Sequence, residues 1–455
     1  MAVIRIPEDI WARVRAHLLS CVGEHFAFMY AEYCATKEVP VFLVKDAHCV
    51  MDENVQADRD GYTVTPEGFL PAINTAVKSG VALIECHNHE GSRPGFSQMD
   101  RRGLREFSQY VLDSLPGRPY AATVWGDSSI YGEFFTPQGS RGNIRSITVA
   151  GTRFHQFASR LDDIEPLSGA FDRQIPWFTN EGQRRLGQVR TAIIGAGGTG
   201  SQVAQQLAYL GIRDFVIVDD DAADETSMNR LVTATAADIG TPKAILARRT
   251  IKSIASNAKV KVMLSAIQSK DVLDALKTVD VIFGCVDNDG ARLILNEIST
   301  AYCILYLDLA TGIEVAASGV TAAGGRVAIV KPGGPCLNCL GEIDIGEAAF
   351  FLSDAEARSL QVQRGYVKGM DVPAPSVVSL SAAVTAAAVN EFAIMVSGLR
   401  PANIFTEIDL LGTAHEVKGQ RAGPRRVREA PGCVVCTTAG IGDRVGIERY
   451  ARPDR

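Results

Sequence analysis

The sequence predicts an α/β protein of two parts, a mixed α/β N-terminal domain followed by a domain built on a mainly parallel sheet. Three observations carry this. The 455 residues are long for one core, and usual domain sizes favour two folded units. From Val189 to about Leu309 apolar strands alternate with helical patterns, which implies parallel βαβ units. The preceding residues, to about 165, read instead as helix, strands and helix.

In chain order, MAVIRIPEDIWARVRAHLLS has apolar residues at helical spacing and predicts an amphipathic helix without the continuous apolar run of a signal peptide. HFAFMYAEY and VPVFLV read as an extended pair, and VALIE leads into CHNHEGSRPGFSQMD. Residues 166–188 are expected to link the domain at 1–165 to one at 189–440, with 441–455 a short tail. Within the second domain VRTAII and DFVIVD predict adjacent strands, SQVAQQLAYL their crossover helix, and VDVIFG and CILYLDL later strands of the same sheet. Beyond Gly312, EVAASGVTAAGGRVAIV predicts antiparallel strands and VVSLSAAVTAAAVNEFAIMVSG an apolar helix.

Composition narrows the function classes. A 46% hydrophobic and 22% charged chain is an ordinary soluble globular protein, with no segment that reads as a membrane span and a cytoplasmic location expected. The net charge of −6, with no basic run beyond GPRRVRE near the C-terminus, argues against nucleic acid and anionic lipid, leaving protein and nucleotide partners. Ten cysteines in a reducing compartment are not expected to form disulfides. Four of them, Cys336 and Cys339 with Cys433 and Cys436, make two Cys-x-x-Cys knuckles about ninety residues apart that one tetrahedral Zn²⁺ would close. Four thiolates leave no open position, so that zinc would be structural.

IIGAGGTGSQVA places Gly195, Gly197, Gly198 and Gly200 between a strand and a helix, where backbone N–H groups and the helix N-terminus can approach phosphates. A Rossmann-like nucleotide domain follows. Asp219 closes the next strand, where a carboxylate can accept ribose hydroxyls, an arrangement that suits a nicotinamide dinucleotide as well as ATP.

Downstream residues separate the two. FDRQ at Phe171–Gln174, IIGAGGTGS, VDDD ending at Asp221, Arg230, Thr241-Pro-Lys243, CVDNDGAR at Cys285–Arg292 and the paired knuckles resemble the ubiquitin-activating superfamily, including its bacterial MoeB/ThiF-type members, over about Phe171 to Cys436. The resemblance implies an adenylation domain in which Arg230 and Lys243 bind the triphosphate, Asp219 the ribose and Asp287 a Mg²⁺. Asp221, Asn229 and Asn288 join the implied nucleotide-binding set. Arg173, from FDRQ, would reach the ATP site of a second copy, which implies a homodimer. Attack of a carboxylate on the α-phosphate builds negative charge that fixed cations and a metal stabilise, a need that hydride transfer lacks. The family's Asn three positions before the motif Arg is replaced by Ser227, with Asn229 next to Arg230.

Family members that form a thioester carry a Cys between the first knuckle and the long apolar helix, but Leu340 to Gly432 contains none. Cys285 and Cys303 are expected in the core, which favours adenylation without a Cys thioester. Ser376 is the alternative acyl acceptor, a poor nucleophile without a base.

In the first domain His87-Asn-His89, seven further residues and then Ser97-Gln-Met-Asp100 would bring two imidazoles and a carboxylate to one strand end and the next helix. This resembles the JAMM metalloproteases. The resemblance implies a catalytic Zn²⁺ on His87, His89 and Asp100, Ser97 as oxyanion donor, and Glu24 as the general acid/base, with Glu32 and Glu85 as alternatives. Glu90 replaces the Pro that usually follows the second His, and His25, His48 and His155 are expected to be structural or surface groups.

The joint expectation is ATP-dependent adenylation of the C-terminus of a ubiquitin-like β-grasp protein, coupled to a JAMM isopeptidase that matures or removes it in a bacterial-type conjugation pathway with a conjugating enzyme. One alternative is activation of a sulfur-carrier protein for thiolation. Another is a JAMM half that only grips the modifier.

Overall fold

Strand-forming and helix-forming stretches assemble into two units in the computed structural model, one of residues 1–166 with 440–444, the other of residues 167–439 with 445–455. The described residues are all but 21–22, 58–60, 90, 92–93, 128, 152–153, 159–167, 355–374, 413–416, 419–429 and 453–455. The expectations for Glu90 and for the basic GPRRVRE run lie outside them.

The first unit opens on strand β1 (Ala2–Pro7), not on the helix expected from the N-terminus. Alternation wins over helical spacing here. Ala2, Ile4 and Ile6 all enter the core, and Pro7, at φ −58°, delays helix α1 to Glu8–Leu18. There follow β2 (Phe26–Cys34), β3 (Val41–Cys49), β4 (Val55–Ala57), β5 (Tyr62–Val64), α2 (Pro66–Ser79), β6 (Ala82–Asn88), α3 (Gln98–Ser114), β7 (Tyr120–Trp125), β8 (Ile130–Phe135), β9 (Arg141–Ala150) and β10 (Phe154–Ala158). The extended pair expected from HFAFMYAEY and VPVFLV is the antiparallel β2–β3 pairing.

The main sheet runs β1-β3-β2-β6-β7-β8-β9-β10, and β1 also pairs parallel with β9, so it closes on itself. Alternate residues of β6 feed two separate cores. Ala82, Ile84 and Cys86 join the cluster with α1, while Leu83 joins the one containing Ala72, Ile73 and Ala76 of α2 and Leu104 and Val111 of α3. His87 shares the Leu83 and Glu85 face, at the end of β6 beside the start of α3.

The second unit contains α4 (Ile175–Gln188), β11 (Arg190–Ile194), α5 (Gly198–Leu210), β12 (Asp214–Val218), α6 (Lys243–Ile254), β13 (Lys259–Met263), α7 (Lys270–Leu276), β14 (Val281–Gly284) and α8 (Asp289–Ala301). It continues with β15 (Leu305–Ala316), β16 (Gly319–Val330), α9 (Leu337–Leu340), α10 (Ile345–Leu352), α11 (Val378–Ser397), β17 (Phe405–Asp409) and β18 (Val417–Lys418). The segment expected as a linker contains α4, which packs against α11. Sheet order is β13-β12-β11-β14-β15-β16-β17-β18, parallel from β13 to β15 and antiparallel beyond. Strand order reverses between β11 and β14, and a crevice at the C-terminal ends of those strands is where open α/β sheets bind ligands.

Helix α11 is long and apolar enough to cross a membrane by length and composition, yet more than half of its apolar stretch is buried. It packs against α5, β15 and β16 as a core helix of its unit.

Candidate functional site

At the β11/β14 switch point the glycines are imposed by close packing. Gly195, at φ +86°, would drive a Cβ to 2.5 Å from the Cys285 carbonyl, and a Cβ on Gly200 would stand 1.8 Å from the Gly195 carbonyl. The loop is thereby folded onto β14 and onto the first turn of α5. Gly197, the N-cap of α5, faces open space, where an added Cβ would meet nothing within 4 Å. A bare helix N-terminus opening into space fits a phosphate.

Asp219 ties this loop to the next. Its two oxygens accept the Ala196 and Asp221 N–H groups at 2.6 and 2.9 Å, and burial pushes its carboxyl up despite those bonds. Asp221 in turn pairs with Lys243 Nζ at 2.8 Å, while its carbonyl accepts the Lys243 N–H at 2.9 Å. Asp221 is therefore the counter-ion that holds Lys243, a role the sequence does not reveal. Arg230 lies across the loop, its Cδ 3.2 Å from where a Gly198 Cβ would be, and its guanidinium donates to the Thr226 carbonyl at 2.7 Å and Asn229 Oδ1 at 3.2 Å. Ser227 closes a reciprocal cap with Asp224, at 2.8 and 3.0 Å.

Asp287 is exposed, two residues beyond the Cys285 that abuts Gly195. Asn288 caps α8, accepting the Ala291 N–H at 2.8 Å. Arg292, one turn on, donates to the Val286 carbonyl at 3.0 Å and to Asp289 at 2.6 Å, and lies 3.4 Å from the fully buried Asp308. Asp308 also accepts from the Tyr306 hydroxyl at 2.6 Å and pairs with Arg326. This buried network, spread over α8, β15 and β16, escapes a sequence reading because only its Arg292 end lies inside a local motif.

Thus Gly195–Gly200, Asp219, Asp221, Asn229, Arg230 and Lys243 are linked by direct contacts, with the Cys285–Asn288 loop packed against them. Arg173 is exposed between the 3₁₀ turn Gly169–Phe171 and α4, and no hydrogen bond or ion pair among the described residues joins it to this site. Burial pushes the Cys285 thiol up to about 12, which makes it a poor nucleophile, and Cys303 is buried. Ser376 is partly exposed just ahead of α11.

The two knuckles meet. Cys336 Sγ lies 3.8 Å from Cys339 and 3.6 Å from Cys433, Cys339 lies 3.5 Å from Cys436, and all four sulfurs fall within 4.8 Å of one another. The Ala430 N–H donates to Cys339 Sγ at 3.2 Å, the kind of outer bond that steadies a thiolate ligand. Four converging thiols fit a structural Zn²⁺.

In the first unit His87, His89 and Asp100 also place ligand atoms within 4.8 Å of one another. Asp100 Oδ1 is 3.7 Å from His87 Nε2, and Oδ2 is 3.4 Å from His89 Nε2. Ser97 is the N-cap of α3 and forms a capping box with Asp100, at 2.6 and 3.1 Å. Its oxygen accepts in that box, so the hydroxyl proton is not used there. Burial alone would push the Asp100 carboxyl up, but His87 and Ser97 hold it well below the usual carboxylate range. His87 is 2% exposed, and neither ring nitrogen has a hydrogen-bond partner among the described residues. A buried imidazole whose nearest carboxylates, Asp100 at 3.7 Å and Glu85 at 3.8 Å, stand beyond hydrogen-bond reach is costly, and a metal ion at its Nε2 would satisfy it.

Of the three carboxylates open from sequence, Glu24 lies with this cluster, its Oε1 3.4 Å from His89 Nε2. Burial pushes its carboxyl up. Glu85 sits on the opposite, Nδ1 side of His87, at 3.8 Å, and accepts from the buried Tyr120 hydroxyl. Glu32 is 3.7 Å from Lys45. If both ligand sets bind zinc, the purified chain is expected to hold about two Zn²⁺, falling by about one in Cys336→Ser and by about one in His87→Ala, as read by metal analysis.

Residues 171–421 match the ThiF family model. Over 160 residues the chain is 29% identical to the SAMP-activating enzyme E1 of Haloferax volcanii, covering 35% of this chain and 56% of that protein. It is 28% identical over 166 residues to the sulfur carrier protein adenylyltransferase of Thermus thermophilus, covering 36% and 60%. With the adenylyltransferase and sulfurtransferase MOCS3 of Arabidopsis thaliana it shares 31% identity over 173 residues, covering 37% and 35%. The chain spans less than two thirds of the length of each of these relatives. Among solved structures, E. coli MccB with ATP is 18% identical at a TM-score of 0.44, over 59% of this chain and 75% of that one. With more than half of its residues matched by the family model, the chain belongs to the ThiF family.

Proposed function

We propose that the second unit uses ATP to adenylate the C-terminal carboxylate of a small ubiquitin-like or sulfur-carrier protein. The observation that supports this reading is the contact chain from the glycine loop through Asp219 and Asp221 to Lys243, with Arg230 lying on Gly198. Each residue then has a task. The loop N–H groups and the N-terminus of α5 cradle phosphates. Arg230 and Lys243 offset the charge that develops on the α-phosphate and the departing pyrophosphate. Asp287 is the residue proposed to hold Mg²⁺, which when bound supplies charge neutralisation at the phosphate oxygens.

The names of the relatives shift the balance between carriers. Two are named for sulfur transfer or a sulfur carrier, so activation of a sulfur carrier stands ahead of a conjugation pathway with its conjugating enzyme. Carrier-dependent ATP–pyrophosphate exchange, run with sulfur-carrier and ubiquitin-like candidates in parallel, decides between them. Exchange with neither would sink the adenylation reading.

For the first unit we propose a JAMM-type zinc peptidase acting on the same carrier, on the convergence of His87, His89 and Asp100 with Glu24 and Ser97. In this reading Glu24 moves a proton beside the metal ligands, and Ser97 donates to an oxyanion. A zinc content near one per chain would remove this claim. The homodimer, with Arg173 serving the partner's ATP site, belongs to the adenylation proposal.

A further inference from the structure

The middle residue of the His-Asn-His triplet has no part in the reading above, yet its surroundings are specific. Asn88 is 5% exposed at the last position of β6. Its Oδ1 accepts the His25 backbone N–H at 2.6 Å, and its Nδ2 donates to the Gly23 carbonyl at 3.0 Å. Those two backbone groups flank Glu24. An N–H can only donate and a carbonyl only accept, so the amide has one orientation that satisfies both.

Regular antiparallel pairing of β2 with β6 begins at Phe26, two residues after Glu24, opposite His87. The Asn88 side chain therefore ties the chain on either side of Glu24, just ahead of β2, to the end of the strand that carries His87. The Asn amide places a donor and an acceptor side by side on one short planar group, as this pair of backbone groups requires.

We infer that Asn88 is a positioning residue that brackets Glu24 and sets its carboxylate against His89. Glu24 lies in a segment outside regular secondary structure, so this bracket fixes its distance to the metal ligands. The inference rests on the metal-site reading of the first unit. It also explains how a carboxylate more than sixty positions from His87 and His89 is held beside them.

The test uses the full-length protein with Asn88→Ala and Asn88→Asp. Hydrogen exchange at the His25 amide is expected to speed up by about tenfold in Asn88→Ala, as loss of one buried hydrogen bond implies. In Asn88→Asp the acceptor remains but Gly23 loses its donor, and a smaller acceleration is expected. Zinc content should stay at the wild-type value in both. In cobalt-substituted protein, where the four-cysteine site contributes equally to every variant, the visible spectrum of Asn88→Ala should move from wild type toward that of Glu24→Gln. Unchanged exchange at His25, a wild-type cobalt spectrum, or loss of a zinc ion in Asn88→Ala would each overturn the inference. Wild-type protein holding about one zinc would instead overturn the metal reading beneath it, a result seen without either variant.

Discussion

Asp287→Ala is expected to lower carrier-dependent ATP–pyrophosphate exchange by roughly 10²–10³-fold or more, the loss typical when one electrostatic contact to a transition state is removed. Asp287 is exposed, and its carboxylate accepts only a long bond from the side chain of its neighbour Asn288, at 3.4 Å, among the described residues. Asn288 keeps its cap on α8 without it. Thermal stability is therefore expected to change little, and zinc content and any peptidase cleavage by the first unit not at all. An unaffected exchange rate would sink the Mg²⁺ assignment. A large drop in melting temperature would show instead that Asp287 serves the fold.

Gly200→Ala is expected to act through the fold. The added methyl would stand 1.8 Å from the Gly195 carbonyl oxygen and 2.9 Å from its carbon, both backbone atoms of the loop itself. Relief requires the loop and the first turn of α5 to separate, which costs more than ordinary overpacking, on the order of 3 kcal/mol or above. For a unit of this size that is a fall in melting temperature of roughly 6–12 °C, with loss of nucleotide binding. Gly197→Ala is the control, because its Cβ meets nothing within 4 Å. There the larger effect should be on nucleotide affinity, since the methyl enters the space a phosphate would occupy. Calorimetry with and without ATP separates the two, and equal destabilisation by both variants would contradict the packing account.

The ThiF-family half is legible in the sequence because its motif residues come in short local runs. Loop, strand end and helix start are consecutive from Ile194 to Ser201, and Asp219 directly follows the next strand. What the motifs conceal is division of labour. Asn288, expected at the nucleotide, also caps α8, and Asp221, expected there too, also pairs with Lys243. The first strand is hidden because six residues are too few for alternation to outweigh the helical pattern that follows, and its partners β3 and β9 are distant in sequence. The choice among Glu24, Glu32 and Glu85 is not decidable from sequence for the same reason. It depends on which strand ends meet, and on an asparagine whose bonds cross more than sixty residues.

The central claim is that the site at Gly195–Gly200 activates a carboxylate rather than transferring a hydride. Intact-mass measurement of a small β-grasp carrier, incubated with the wild-type chain, ATP and Mg²⁺, tests it most directly. A carrier heavier by one AMP at its C-terminus, formed with release of pyrophosphate and lost in Asp287→Ala, is the result expected. A carrier of unchanged mass, together with saturable binding of a nicotinamide dinucleotide, would contradict it.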